Sequence, residues 1–427
     1  MNNSELIRKL AGVIDLALES SSRSNAAKPV KYWYPLSLAS YGSEEILEAL
    51  DSLCAFRTTM WEKTRAFEEA FAEHQGGGHA VMVNSGSSAD LLLAFALADP
   101  RGQRLSRGDE VLIPAVTWPT QIWSCMMAGL RVRLVDVDPS TLNVSIEALE
   151  AAVGPRTKAI SLVHLLGNPC DLDAVLALAA KHNLFVLEDC CEALGSTWRG
   201  KKVGTFGLGA AFSFFFSHHI TTMEGGMITT ADAALADELR ILRAHGWLRN
   251  VQRDSSALAG FDVDPRYAFV NWGFNVRPTE LQAGFGLQQL LKLPAFEERR
   301  RVLAHRFFSY LAETEFFAAP VVHGNASVSW MALPFMIRPS APFTRDDVAA
   351  YLEANGVETR PIVAGNLAMQ PAACIFPELC GDSLPGAVDV HRNGLYVGLS
   401  PMTSDAEMSR LIETFAALRV RGVQTLA

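Results

Sequence analysis

The residues best suited to chemistry fall at four places. "SFFFSHHITTMEGG" (213–226) sets two adjacent histidines, His218 and His219, in a polar turn between a strand-like run and a glycine pair. A neutral imidazole, with an ordinary pKa of about 6.5, takes and returns a proton near neutrality. "VLEDCCEALGS" (186–196) places Asp189 at the C-terminal end of an apolar run, where ligands gather in open α/β sheets; the same carboxylate would serve equally as a helix cap. "VNSGSSADLL" (83–92) brings the N–H groups and hydroxyls of Gly86, Ser87 and Ser88 to the start of a helix, which suits a phosphate as well as a plain cap. "AVTWPT" (115–120) adds Trp118 just past another strand end, either stacking on a flat ring or packing in the core. A phosphate cradle, an acid and an aromatic slab on three strand ends together suit a phosphorylated pyridine, and their convergence weighs more than any one of them.

Such strand ends need a sheet to hold them. Apolar runs at 79–83, 110–116, 131–138, 158–166 and 184–191 alternate with helical patterns, and strands apolar on both faces imply a mostly parallel sheet covered on both sides. After about residue 290 the rhythm changes to a long charged helix, "WMALPFMIR" and two further helices, a smaller α+β unit. The expected division is an N-terminal helix and Ser/Asn/Ala linker over 1–30, a large α/β domain over 31–290 and a small α+β domain over 291–427. No internal repeat stands out.

Composition narrows the function classes. A chain of 427 residues with 49% hydrophobic and 19% charged residues has material for two cores and excludes disorder. Its formal net charge of −9 argues against a general nucleic-acid binder, so any phosphate must be met by a local basic cluster. Seven cysteines without a C-x-x-C or a zinc spacing read as reduced core thiols, and no metal is expected. "LIRKLAGVIDLALESS" is broken by Arg8, Lys9 and Asp15 and reads as an amphipathic helix, not a leader; no apolar run reaches the roughly 18 residues of a membrane span. The expectation is a cytoplasmic protein.

The order "SGSSA", "PAVTW", "VLEDCCEALGS", "SFFFSHH…EGG" and "GFNVRPTELQAG" resembles the sugar aminotransferase and dehydratase family of fold-type I vitamin B6 enzymes, over roughly residues 33–423. The resemblance implies an aspartate-aminotransferase-like fold and pyridoxal 5'-phosphate or pyridoxamine 5'-phosphate as cofactor. Asp189 would pair with the pyridine nitrogen and Trp118 would stack on the ring. Gly86, Ser87 and Ser213 would hold the phosphate, with Asn275 reaching it from a second subunit of a homodimer, and Glu192 would hydrogen-bond the cofactor or buttress His218. The family's lysine falls at His218, and no lysine lies between Lys202 and Lys292. A histidine cannot tether the cofactor covalently. The resemblance therefore implies a detachable amine cofactor and His218 as proton acceptor, so that a hydroxyl beta to the substrate's imine leaves and dehydration replaces amine transfer.

Two groups of 3-dehydratases in this family carry a histidine pair here, one acting on GDP-linked and one on CDP-linked 4-keto-6-deoxyhexoses. The CDP group holds an iron–sulfur cluster on four cysteines, and 243–278 has none, so neither a cluster nor a reductase partner is expected. "RAHGWLRN", "GFNVRP", "RPIVAGN" and "NGLYVG" look most like the GDP-linked enzymes of colitose-type dideoxysugar biosynthesis. The implied reaction removes the C3 hydroxyl of GDP-4-keto-6-deoxy-D-mannose, releases ammonia and uses L-glutamate to restore the amine. His245, Arg249, Arg277 and Arg360 are the candidates for the sugar, its diphosphate and glutamate; each arginine suits a bidentate anion and equally a structural ion pair. A cluster-free CDP-sugar dehydratase, a nucleotide-sugar 4-aminotransferase and a non-catalytic scaffold stay open as alternatives.

Overall fold

The computed structural model of the protein describes residues 7, 9–26, 31–249, 251, 258 and 260–425. Seven strands form the main sheet: β1 (His79–Val83), β2 (Glu110–Pro114), β3 (Arg131–Val135), β4 (Thr157–Val163), β5 (Phe185–Asp189), and, after the short strands β6 (Thr197–Trp198) and β7 (Lys201–Lys202), β8 (Gly209–Ser213) and β9 (Gly226–Thr230). Their order is β1-β9-β8-β5-β4-β2-β3, and only β9 runs antiparallel to its neighbours. The chain is thus of the α/β class expected from its strand and helix rhythm, with the aspartate-aminotransferase-like fold that the resemblance implied.

Alternation along the strands assigns the two faces. Val81, Val83, Val111, Ile113, Ala211 and Ile228 enter one apolar cluster with the helix Gly86–Leu97. Their neighbours Ala80, Met82, Leu112, Ala210, Phe212 and Met227 enter the other, with Phe67 and Phe71 of the helix Glu62–His74. Side chains of a strand point alternately to opposite faces, so a strand that is apolar throughout is covered on both. Among the described residues no helix is long and apolar enough to cross a membrane.

A four-stranded antiparallel sheet follows, in the order β10 (Phe317–Ala318), β12 (Ala332–Ile337), β14 (Gly394–Gly398), β13 (Thr359–Pro361). Phe307, Phe317, Phe335 and Phe415 pack under it in a third core. The remaining strand, β11 (Ala326–Ser327), pairs with β6 and ties this part of the chain back to the first.

Two helices run further than the sequence pattern suggests. The charged helix expected from 296 begins at Glu280 and continues to Ala312, through Pro294 and across the expected boundary at 290. Its start is fixed by a capping box, Thr279 accepting from Gln282 N–H while Gln282 accepts from Thr279 N–H at 2.7 Å. Near the N-terminus, Ser20–Ala26 of the expected linker is helical, the last part of the helix Ala11–Ala26. No glycine or proline interrupts that run before Pro29, and serine and alanine tolerate helix. The rest of that linker, 27–30, lies outside the described residues.

Candidate active site

Parallel strands bring their C-terminal ends to one edge, and two of those ends, of β1 and β8, make a cradle with the start of antiparallel β9. Ser213 pairs with Gly226 on one side, and Val83 pairs with Gly226 on the other. A Cβ on Gly226 would lie 2.4 Å from the Ser85 carbonyl oxygen, and one on Gly86 would lie 2.6 Å from Ser213 Cβ and 2.9 Å from Cys191 Sγ. Only glycine permits that approach. Ser85 caps the helix Gly86–Leu97 by accepting from Ser88 N–H at 3.1 Å. The N–H groups of Gly86 and Ser87, in the first turn, have no carbonyl within the helix to reach. With the positive end of the helix dipole and the Ser213 hydroxyl beside them, they form a cradle for a phosphate.

Asp189 ends β5, 4% exposed, and accepts from Cys191 N–H at 2.9 Å. Burial pushes its carboxyl above the usual range. Trp118 precedes the helix Pro119–Met127, whose N-terminal proline fixes the turn, and its ring stands 55% exposed. These residues fit a phosphorylated pyridine: a cradle that any side chain would fill, an acid for the ring nitrogen and an open aromatic face.

His218 lies in the turn after β8, half-buried. Its Nδ1 stands 2.6 Å from the Cys191 carbonyl oxygen. A carbonyl only accepts, so Nδ1 carries the hydrogen and Nε2 keeps a free lone pair. Burial, opposed by the Cys191 hydrogen bond and reinforced by the Arg300 charge, lowers the ring's pKa to about 4. The ring is therefore a neutral base at pH 7. His219 turns away: it is buried, and its Nε2 donates to the Ser329 carbonyl at 2.9 Å.

Two contacts around His218 were not read from the sequence. One is the Cys191 carbonyl, a backbone group that no residue type announces. The other is Arg300, buried on the long helix, which donates to the His218 carbonyl at 3.4 Å and to the carbonyls of Met331 at 2.9 Å, Trp330 and Leu399. Glu192, expected against the cofactor or His218, accepts from Leu166 N–H at 2.7 Å through one oxygen. Burial, with the Asp189 charge adding to it, raises Glu192 to about 7.

A second set lies on the segments 244–249 and 275–277, the latter held beside the cradle by Asn84 N–H donating to the Val276 carbonyl at 3.0 Å. Ala244 pairs with Asn275 and Trp247 with Phe269, so the segments around His245 and Asn275 run side by side. His245 is exposed in the left-handed region at φ 64°. Arg249 lies over Trp247 at 4.9 Å, and Arg277 donates to Asn275 Oδ1 at 2.9 Å. Arg249 and Arg277 line a cavity of about 850 Å³ with Trp61, Arg65 and Trp247, which His218, Asp189 and Trp118 do not reach. Arg360 forms the structural alternative, an ion pair with Glu358 at 2.7 Å.

Beneath the site, His164, Glu188 and Cys190 gather ligand-type atoms within 4.8 Å of one another. His164 Nδ1 accepts from Cys170 N–H at 3.1 Å, so Nε2 bears the hydrogen and donates to Glu188 at 3.2 Å. Glu188 also takes the N–H groups of Gly204, Phe206 and Gly207. Both ring nitrogens are engaged, and the cluster pins the 204–207 turn.

The profile of the DegT/DnrJ/EryC1/StrS aminotransferase family matches residues 40–416. The chain is 38% identical over 369 residues to a GDP-4-keto-6-deoxy-D-mannose 3-dehydratase of Yersinia pseudotuberculosis, covering 86% of this chain and 93% of that one. It superposes with a TM-score of 0.85 and 36% identity on the E. coli GDP-4-keto-6-deoxy-D-mannose-3-dehydratase with bound hydrated PLP, over 90% and 99% of the two chains. A GDP-4-keto-6-deoxymannose-3-dehydratase with a trapped PLP-glutamate geminal diamine matches at TM-score 0.83 and 35% identity, over 89% and 99%.

Proposed function

From the premise that the chain belongs to the DegT/DnrJ/EryC1/StrS aminotransferase family, we propose that it is a pyridoxamine 5'-phosphate-dependent 3-dehydratase of GDP-4-keto-6-deoxy-D-mannose. The observation that carries this reading is His218, a neutral imidazole with Nε2 free, in the place where the family's tethering lysine would stand.

Gly86, Ser87 and Ser213 hold the cofactor phosphate, Trp118 covers one face of its ring, and Asp189 keeps the pyridine nitrogen protonated. When bound, the cofactor would supply an electron sink for the ketosugar's reacting carbons. His218 Nε2 takes the proton from the carbon bearing the cofactor's nitrogen, and the Cys191 carbonyl holds the ring so that Nε2 is the atom that does so. The C3 hydroxyl then leaves as water. With no cysteine in 243–278, no iron–sulfur cluster or reductase enters; the unsaturated product hydrolyses to ammonia and a 4-keto-3,6-dideoxy sugar. L-glutamate restores the amine and departs as 2-oxoglutarate.

His245, Arg249 and Arg277, with Asn275, serve the site of a second copy in a homodimer; Phe215, Phe216 and Met223, exposed beside the His218 turn, support a covered face there. Arg360 needs only to leave Glu358 to meet an anion. The enzyme works in the cytoplasm, with the large and small units meeting inside the helix Glu280–Ala312.

Incubation of the purified protein with glutamate and GDP-4-keto-6-deoxymannose, followed by mass spectrometry and an ammonia assay, tests the reading. Loss of one oxygen with release of ammonia is expected. A 4-amino sugar without ammonia would assign an aminotransferase instead, and turnover of only the CDP-linked ketosugar would reassign the nucleotide.

A further inference from the structure

Asp90 sits one turn into the helix Gly86–Leu97, 8% exposed, and lines with Asp189, Gln121 and Ser161 a void of about 10 Å³, room for roughly one water. Two carboxyls thus share one buried place, and among the described residues neither has an ion-pair partner. Two carboxylates so placed do not both ionise, because each charge loses its water and repels the other.

The partners of the two differ in kind. Asp189 accepts from Cys191 N–H, which can only donate and therefore favours the anion. Asp90 meets the Thr120 hydroxyl at 3.1 Å, which can accept as readily as donate and so suits a neutral carboxyl. The other groups facing the pair sharpen the contrast. The helix Pro119–Met127 presents Thr120, Gln121 and the Cys125 thiol, β4 presents Ser161, and the turn after β5 presents the Cys191 thiol, while the Glu188 carboxylate points to the opposite face of β5. The nearby imidazole, His164, spends its Nε2 hydrogen on Glu188 and gives none to either aspartate.

We propose that Asp90 is the proton-bearing member of a carboxyl pair and a positioning residue for Asp189, which it leaves as the single ionised group facing the cofactor ring. One negative charge then meets one ring N–H. Burial, with Asp189 adding to it, holds Asp90 well above the usual carboxylate range. The assignment of a ring to Asp189 rests on the proposed function; the ownership of the proton does not.

Infrared difference spectra of the full chain, with and without bound pyridoxamine phosphate, read that proton directly. At pH 7 the wild type minus Asp90→Asn should show a protonated-carboxyl C=O stretch in both forms; Glu192 and Glu238, each raised to about 7, cancel in the subtraction. The linkage is measurable too. A carboxyl whose pKa is raised on folding destabilises the fold as pH climbs from its unfolded pKa of about 3.9. The thermal midpoint of the cofactor-free Asp90→Asn protein should therefore exceed that of wild type by a margin that widens from pH 4 to pH 8, with Asp90→Ser as a second variant. Absence of the difference band, or a midpoint gap that does not widen with pH, would overturn the proposal. Neither measurement depends on dehydratase activity, so the pair can fail while the proposed reaction stands, and the reverse.

Discussion

At the scale of the residue, His218 works by being neutral and by having only one free nitrogen. Substitution by Asn keeps a polar side chain but no base, and should lower the rate about 10²- to 10⁴-fold with cofactor affinity little changed, measured by single-turnover ammonia release and cofactor titration. An imidazole must be unprotonated to accept, so activity is lost as pH falls through the base's own pKa. With His218 lowered to about 4, the acidic limb of kcat/KM governed by this group should fall near pH 4, not at the 6.5 of an unperturbed ring. Arg300→Met removes a nearby positive charge and should move that limb upward, whereas Arg300→Lys should hold it; a purely structural Arg300 would leave the limb in place in both.

At the scale of the element, the site depends on three strand ends approaching closer than side chains allow. Gly226→Ala drives a Cβ onto three backbone atoms, Ser85 C and O and Gly86 N, and should be worse than Gly86→Ala, which meets Ser213 Cβ and the rotatable Cys191 thiol. Each should cost about 1–3 kcal/mol in thermal unfolding, the usual range for overpacking, and weaken pyridoxamine phosphate binding. The strands were legible in the sequence because burial on both faces leaves an unbroken apolar run, and the cradle because glycine and serine cluster where a strand becomes a helix. The start of the helix at Glu280 was legible only through the Thr279–Gln282 capping box, since Pro294 reads as a break and not as an interior residue. Asp90 passed unread inside "ADLLLAFALA": one carboxyl in an apolar helix gains meaning only when another strand carries a second up to it. The Cys191 carbonyl had no signal at all, because every residue has one.

At the scale of the whole molecule, the candidate residues fall into two sets, one around His218 and one, with Arg249 and Arg277, around a separate cavity. If Asn275 serves a neighbouring copy, an equimolar mixture of Asn275→Ala and His218→Asn chains, refolded or exchanged together, should regain activity that neither variant has alone, because the mixed dimer carries one intact site. Light scattering should show a dimer; a monomer with full activity would remove the second set from the reaction. Sequence spacing could not show this division, since distance along the chain says nothing about which copy a side chain serves. The grip of Arg300 has a consequence of its own. One guanidinium holds the backbone of the His218 turn together with residues 330–331 and 399, which border β12 and β14 of the smaller sheet. Tilting the smaller sheet would tug the imidazole with it, so closure over a sugar and aim of the proton acceptor become a single mechanical coordinate.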